Sequence, residues 1–159
     1  NDSKSDATVS VATEIHALDA AGRRTGDAVA RIPRVEAPVA AEQSATVQAS
    51  VAIASPKFWG PPPQQRPNRY VAVTRVFCQG RLTDSYETPF GIRTLQVDPA
   101  RGILVNGQHI ALKGVNNHHD LCALGAAFNT RAAERQLELL REMGCNAIRM
   151  SHSPPARVA

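Results

Sequence analysis

The sequence predicts a small antiparallel β-sandwich joined by a hairpin to a parallel strand–helix–strand unit, and three observations carry that expectation. Short runs with alternating apolar residues, separated by turn residues, fill the chain up to Asp98, which is the pattern of an all-β domain. Asn106-Gly107 then stands between two apolar arms. Finally, two apolar runs end in polar, titratable side chains, at Lys113-Gly114-Val115-Asn116-Asn117-His118-His119-Asp120 and at Asn146-Ala147-Ile148-Arg149-Met150-Ser151-His152, with a helix-patterned segment between them. Strand, helix, strand in that order puts both polar ends on one edge of a parallel sheet, where ligand chemistry gathers.

Residues 8–18 place Val9, Val11, Ile15 and Ala17 on one strand face and send Ser10, Glu14 and His16 to the other. His16 is an outward strand residue with no assigned role. Asp19-Ala20-Ala21-Gly22 reads as a turn. Residues 29–35 make a poorer strand, interrupted by Pro33 and therefore suited to a sheet edge, and 36–44 read as loop. Alternation returns at Val47, Ala49, Val51 and Ile53, predicting a strand that runs into the proline cluster Pro61-Pro62-Pro63, where a ladder cannot continue. Residues 70–77, 82–86 and 90–97 complete the sandwich.

Ile103-Leu104-Val105 is expected to pair with residues 108–112, because Asn-Gly accepts the two positive φ values of a type I′ turn. Asn129 or Thr130 can cap a helix ending near residue 143, with Ala133, Leu137, Leu140 and Met143 on one face and Gly144 at its end. Glu134, Glu138 and Glu142 stand beside Arg131, Arg135 and Arg141, a solvated charged surface and not a row of catalytic acids. Residues 145–150 form the second parallel strand, stopped by Pro154-Pro155. Two parallel strands and one helix leave open sheet edges, so this portion reads as cut off from a larger sheet.

The 159 residues carry a formal net charge of +4 and 4% aromatic residues. With no basic run and few rings, nothing here resembles a nucleic-acid surface. No window approaches the twenty apolar residues of a membrane span, and the polar start is not a signal peptide. Cys78, Cys122 and Cys145 have no metal-ligand spacing. As free thiols they lean toward a reducing, cytoplasmic compartment, while a start without Met leaves periplasmic or secreted locations open.

Two site chemistries fit the polar strand ends. His118, Asp120 and His152 form an H-x-D plus distal His, the ligand set of a two-His, one-carboxylate iron oxygenase. Alternatively, imidazoles bind sugar hydroxyls, and Arg149 near a strand end can hold a carboxylate ionised and correctly oriented. Glycoside hydrolysis needs two carboxyl groups flanking the bond. After Asp98 the only acids are Asp120 and the three helix glutamates, which make no convincing pair. In extended backbone His118 and His119 point to opposite faces, so at most one of them enters a site beside Asp120.

The runs Phe90-Gly91-Ile92-Arg93, Asn106-Gly107-Gln108-His109 through Lys113-Gly114-Val115-Asn116-Asn117-His118-His119-Asp120-Leu121-Cys122-Ala123-Leu124-Gly125 to Ala126-Ala127-Phe128-Asn129, and Met143-Gly144-Cys145-Asn146-Ala147-Ile148-Arg149-Met150-Ser151-His152 closely resemble glycoside hydrolase family 2. The His-His-Asp-Leu-x-Ala-Leu-Gly form is similar to its β-galactosidase branch. Upstream, Pro56-Lys57-Phe58-Trp59 and Asn68-Arg69-Tyr70 resemble the end of the family's immunoglobulin-like sandwich.

The resemblance implies an incomplete immunoglobulin-like β-sandwich over residues 1–97 and, over 98–159, the first βαβ unit of a truncated (β/α)8 TIM barrel. It implies that His118 and His152 line the sugar subsite with Asn116 and Asp120, and that Arg149 orients the nucleophile. The family's two catalytic glutamates lie on later strands, so this chain holds no catalytic residue and is expected to be inactive alone. The parent enzyme would be a retaining β-galactosidase acting on terminal galactosides, without cofactor or metal, with homo-oligomerisation left open. Cys122 stands where the family commonly has Gly, and Ser153 where Asn is usual. A non-catalytic sandwich module that binds carbohydrate or protein is the competing reading, and the iron oxygenase a remoter one.

Overall fold

The computed structural model describes residues 1–118 and 120–152, with the backbone alone at Cys122. It divides into two compact units, Asn1–Thr94 and a second that begins at Leu95. No helix among the described residues is long and apolar enough to cross a membrane.

The first unit contains one antiparallel sheet of four strands, β1 (Ala7–Leu18), β2 (Arg24–Val39), β3 (Arg69–Cys78) and β4 (Arg81–Phe90), in the order β2-β1-β3-β4. Alternation along β1 sends Ile15 and Ala17 to a core face. There Ile15, Ala30 and Tyr70 are buried, and Ala17, Ile53, Ala72, Phe90 and Ile92 pack against them. The turn after β1 closes through Gly22 at φ 80°, whose N–H donates to the Asp19 carbonyl at 3.0 Å.

Two expectations for this sheet are corrected. The strand expected at 29–35 is longer, because pairing with β1 carries it from Arg24 to Val39 across both Pro33 and the segment expected as loop. The register slips between Val11 and Thr13, where β2 holds one extra residue beside Pro33. A bulge on an edge strand tolerates a residue that cannot donate to the ladder. The alternating run at 47–53, conversely, joins no sheet. Ile53 packs on the core while Val51 stays 37% exposed, so the run rests on the sheet without extending it.

A third correction concerns residues 90–97, which are not one strand. After Phe90 the Ile92 carbonyl accepts the Trp59 N–H at 2.7 Å, and a Cβ at Gly91 would lie 2.8 Å from the Trp59 Cβ. The Arg93 guanidinium carbon sits 5.0 Å from the Trp59 ring centre. Phe90-Gly91-Ile92-Arg93 is thus shaped to receive Trp59, and the strand breaks there.

On the sheet's other face, Glu14 accepts from Arg31 Nε and Arg75 Nη1, each at 3.0 Å, with His16 Nε2 3.9 Å away. The hydrogen bond from Arg31, then that from Arg75, holds the Glu14 carboxyl below the ordinary glutamate range. A depressed native pKa adds stability above the unfolded pKa, and that contribution disappears as pH falls through the native value. The chain is therefore expected to lose resistance to denaturant on acidification through that range, and Glu14→Gln to flatten this part of the profile. Unfolding midpoints measured against pH check it, and parallel profiles for both proteins would show that the network contributes nothing.

The second unit opens with a meander of β5 (Leu95–Asp98), β6 (Gly102–Val105) and β7 (Gln108–His109). Asn106 at φ 55° and Gly107 at φ 76° turn β6 into β7, as a type I′ hairpin requires. The second arm is shorter than expected, although the Ile110 N–H still reaches the Ile103 carbonyl at 2.9 Å. A parallel pair follows, β8 (Gly114–His118) and β9 (Ala147–Ser151), with α1 (Thr130–Glu142) between them in sequence.

Asn129 is the cap, its side chain accepting from the Ala132 N–H at 2.9 Å, and Gly144 follows the helix at φ 85°. The helix glutamates pair with Arg131 and Arg135 in exposed i,i+3 and longer contacts, the solvated surface expected. Of the expected apolar face, Leu137 and Met143 remain 52% and 73% exposed.

Candidate functional site

The site is built on the parallel pair. Gly114 lets the two backbones meet, because a Cβ there would lie 2.3 Å from the Ala147 carbonyl oxygen. Asn146 locks the entry to β8, since its Oδ1 accepts the Lys113 N–H at 2.8 Å and its Nδ2 donates to the Ala111 carbonyl at 3.0 Å. Register then pairs Asn116 with Arg149 and His118 with Ser151. Alternation separates two faces. Asn117 turns to the helix, where its Nδ2 donates to Gln136 Oε1 at 3.3 Å; Asn116, His118, Arg149 and Ser151 share the opposite face.

Those four form a connected polar cluster. Arg149 Nη1 donates to Asn116 Oδ1 at 3.1 Å and to Ser151 Oγ at 2.7 Å, and Ser151 Oγ donates to Asn116 Oδ1 at 2.5 Å. Asn116 Nδ2 lies 3.3 Å from His118 Nε2. The His118 and His152 rings meet edge to face, 5.6 Å between centres. Among the described residues the hydrogen bonds of Arg149 run through Nη1; the Nε–H and Nη2–H groups of a guanidinium form a fork whose geometry matches a carboxylate.

Asp120 follows β8 directly. Its N–H donates to the His118 carbonyl at 2.9 Å, and it lines an apolar cavity of about 310 Å³ on the helix side, together with His118, Phe128, Leu137 and Ile148. Of the predicted site residues the structure therefore joins Asn116, His118, Arg149 and His152, and places Asp120 at the cavity. His119, Ser153 and the Cys122 side chain lie outside the described residues. Among the described residues no three His, Cys, Asp or Glu side chains converge as a metal site, so the geometry lends the iron reading no support.

Ser151 was missed by sequence reasoning. It is only 2% exposed, and the signal for it is its position two residues beyond Arg149, on the same strand face.

Residues 1–93 match the family model "Glycosyl hydrolases family 2", and residues 97–158 match "Glycosyl hydrolases family 2, TIM barrel domain". The chain belongs to glycosyl hydrolase family 2. Its first unit is part of that family's sandwich domain, and its second is the start of the TIM barrel. In a family 2 barrel β8 and β9 are barrel strands, and since helices coat the outside of a barrel, the face turned from α1 is interior. Asn116, His118, Arg149 and Ser151 lie on that face, toward the C-terminal ends of β8 and β9.

Among family 2 proteins, the chain is 38% identical over 156 residues to β-galactosidase BoGH2A of Bacteroides ovatus, covering 98% of this chain and 17% of that protein. It is 35% identical over 109 residues to a β-glucuronidase of Bacteroides fragilis, covering 69% of this chain and 15% of that one. A solved family 2 structure from Bacteroides cellulosilyticus superposes with a TM-score of 0.70 at 30% identity, over 96% of this chain and 18% of that one. The chain spans less than a fifth of each of these relatives.

Proposed function

We propose that this chain forms one wall of the sugar site of a retaining glycosidase that cleaves terminal β-galactosides. The observation that carries the reading is the Arg149 guanidinium, anchored through one nitrogen by Asn116 and Ser151. A guanidinium held in this way offers its other donors to a carboxylate that arrives from elsewhere in the barrel.

His118, His152 and Asn116 supply hydrogen-bonding groups for sugar hydroxyls, and Asp120 contributes from the adjoining loop. The acid/base and the nucleophile are two glutamates outside residues 1–159, because a retaining mechanism needs a carboxyl pair flanking the glycosidic bond. The helix glutamates Glu134, Glu138 and Glu142 pair with arginines on an exposed helix surface. Galactose as the sugar is supported by the similarity to BoGH2A over nearly the whole chain.

The purified chain is expected to release no nitrophenolate from nitrophenyl β-galactoside, and measurable turnover would sink the proposal. Saturation-transfer NMR with methyl β-galactoside is expected to detect weak binding that falls about tenfold in His118→Ala, the loss of one hydrogen bond of roughly 1.4 kcal/mol. Tighter binding of methyl β-glucuronide would replace the galactosidase reading with a glucuronidase one.

A further inference from the structure

We propose that Ser151 is a positioning residue that acts through Asn116 to set which ring nitrogen of His118 carries the proton. The inference rests on the reading above for its purpose, which is the kind of hydrogen bond His118 offers a sugar.

The argument follows donors and acceptors from the buried end of the cluster outward. A guanidinium has donors only, so the Asn116 atom 3.1 Å from Arg149 Nη1 is the amide oxygen. Ser151 Oγ accepts from Arg149 Nη1 at 2.7 Å, and its single proton is therefore directed to Asn116 Oδ1 at 2.5 Å. Two donors fill the two lone pairs of that oxygen. The amide cannot flip, since a flip would set its NH2 group against both donors.

Asn116 Nδ2 must consequently point at His118 Nε2, 3.3 Å away. An NH2 group only donates, so Nε2 is the acceptor and the neutral ring holds its proton on Nδ1. His118 then carries its N–H donor at Nδ1.

Ser151 is the part of this relay that the fold holds still. It is 2% exposed, whereas Asn116, His118 and Arg149 are exposed. The Arg149 side chain is long, and its shorter contact is the one to Ser151. Without the serine hydroxyl the amide oxygen loses one donor outright, and the other donor loses its anchor.

Nitrogen NMR of the ring nitrogens in the 159-residue chain tests this. The expected result is an unprotonated Nε2 and a protonated Nδ1 for His118 in the native chain. Ser151→Ala is expected to lose that preference and show mixed tautomers, and Ser151→Thr, which keeps the hydroxyl, to retain it. A native Nε2–H tautomer overturns the proposal even if Ser151→Ala does not fold. So does identical behaviour of the alanine and threonine variants. Failure of the sugar reading is seen separately, as absence of a saturation-transfer signal while the tautomer result stands.

Discussion

Gly114→Ala is expected to separate the two parallel strands. Gly114 lacks a positive φ, so its requirement is one of space. The added Cβ would lie 2.3 Å from the Ala147 carbonyl oxygen and 2.8 Å from its carbon. Both are backbone atoms of the paired strand, so no side-chain rotation relieves the clash. Overpacking typically costs about 1–3 kcal/mol, and an obstruction by backbone belongs at the upper end. Because Asn116 faces Arg149 only while the register holds, the polar cluster should go with the pairing. Hydrogen exchange at residues 114–118 and 147–151 should accelerate together. Unchanged exchange there would show that the strands are held by something other than close approach at Gly114. Gly107→Ala makes an informative contrast, since nothing lies within 4 Å of a Cβ there and its difficulty is φ 76°; damage should stay at the hairpin.

Tyr70→Ala is expected to cost about 3–5 kcal/mol, the range for truncating a large buried aromatic residue. Tyr70 is 4% exposed, its ring stacks on Phe90 with 5.8 Å between centres, and its hydroxyl accepts the Lys57 N–H at 2.8 Å. Tyr70→Phe keeps the stacking and removes only that hydrogen bond, worth about 1 kcal/mol. Unfolding midpoints in denaturant separate the two contributions, with most of the loss expected from packing. Near-equal losses for both variants would mean that the tie to Lys57, and not the ring, holds the core.

Much of the fold was legible because local chemistry specified it. The β1 alternation, the Asn106-Gly107 turn, the Asn129 cap and Gly144 all act within a few residues of themselves, and strand, turn and helix ends formed there, although the second hairpin arm is shorter than expected. The errors came where distant parts of the chain decided the outcome. A bulge against β1 let Pro33 sit inside a strand, Trp59 broke the run at 90–97, and residues 47–53 used their alternation for packing instead of pairing. An alternating pattern reports that one side of a segment is apolar; it does not report whether a neighbouring strand is within hydrogen-bonding reach.

The candidate site divides in the same way. The sequence by itself determined the residue types at the ends of two apolar runs, and the motifs around them identified the start of a family 2 barrel. Only the tertiary structure decided that Asn116, His118, Arg149 and Ser151 share one face, that Ser151 is the buried anchor among them, and that Asp120 lines a cavity together with His118 and the helix. The physical reason is register: which side chains meet across a sheet depends on how two distant strands are aligned, and that alignment was set here by Gly114 and Asn146, whose partners no sequence spacing reveals.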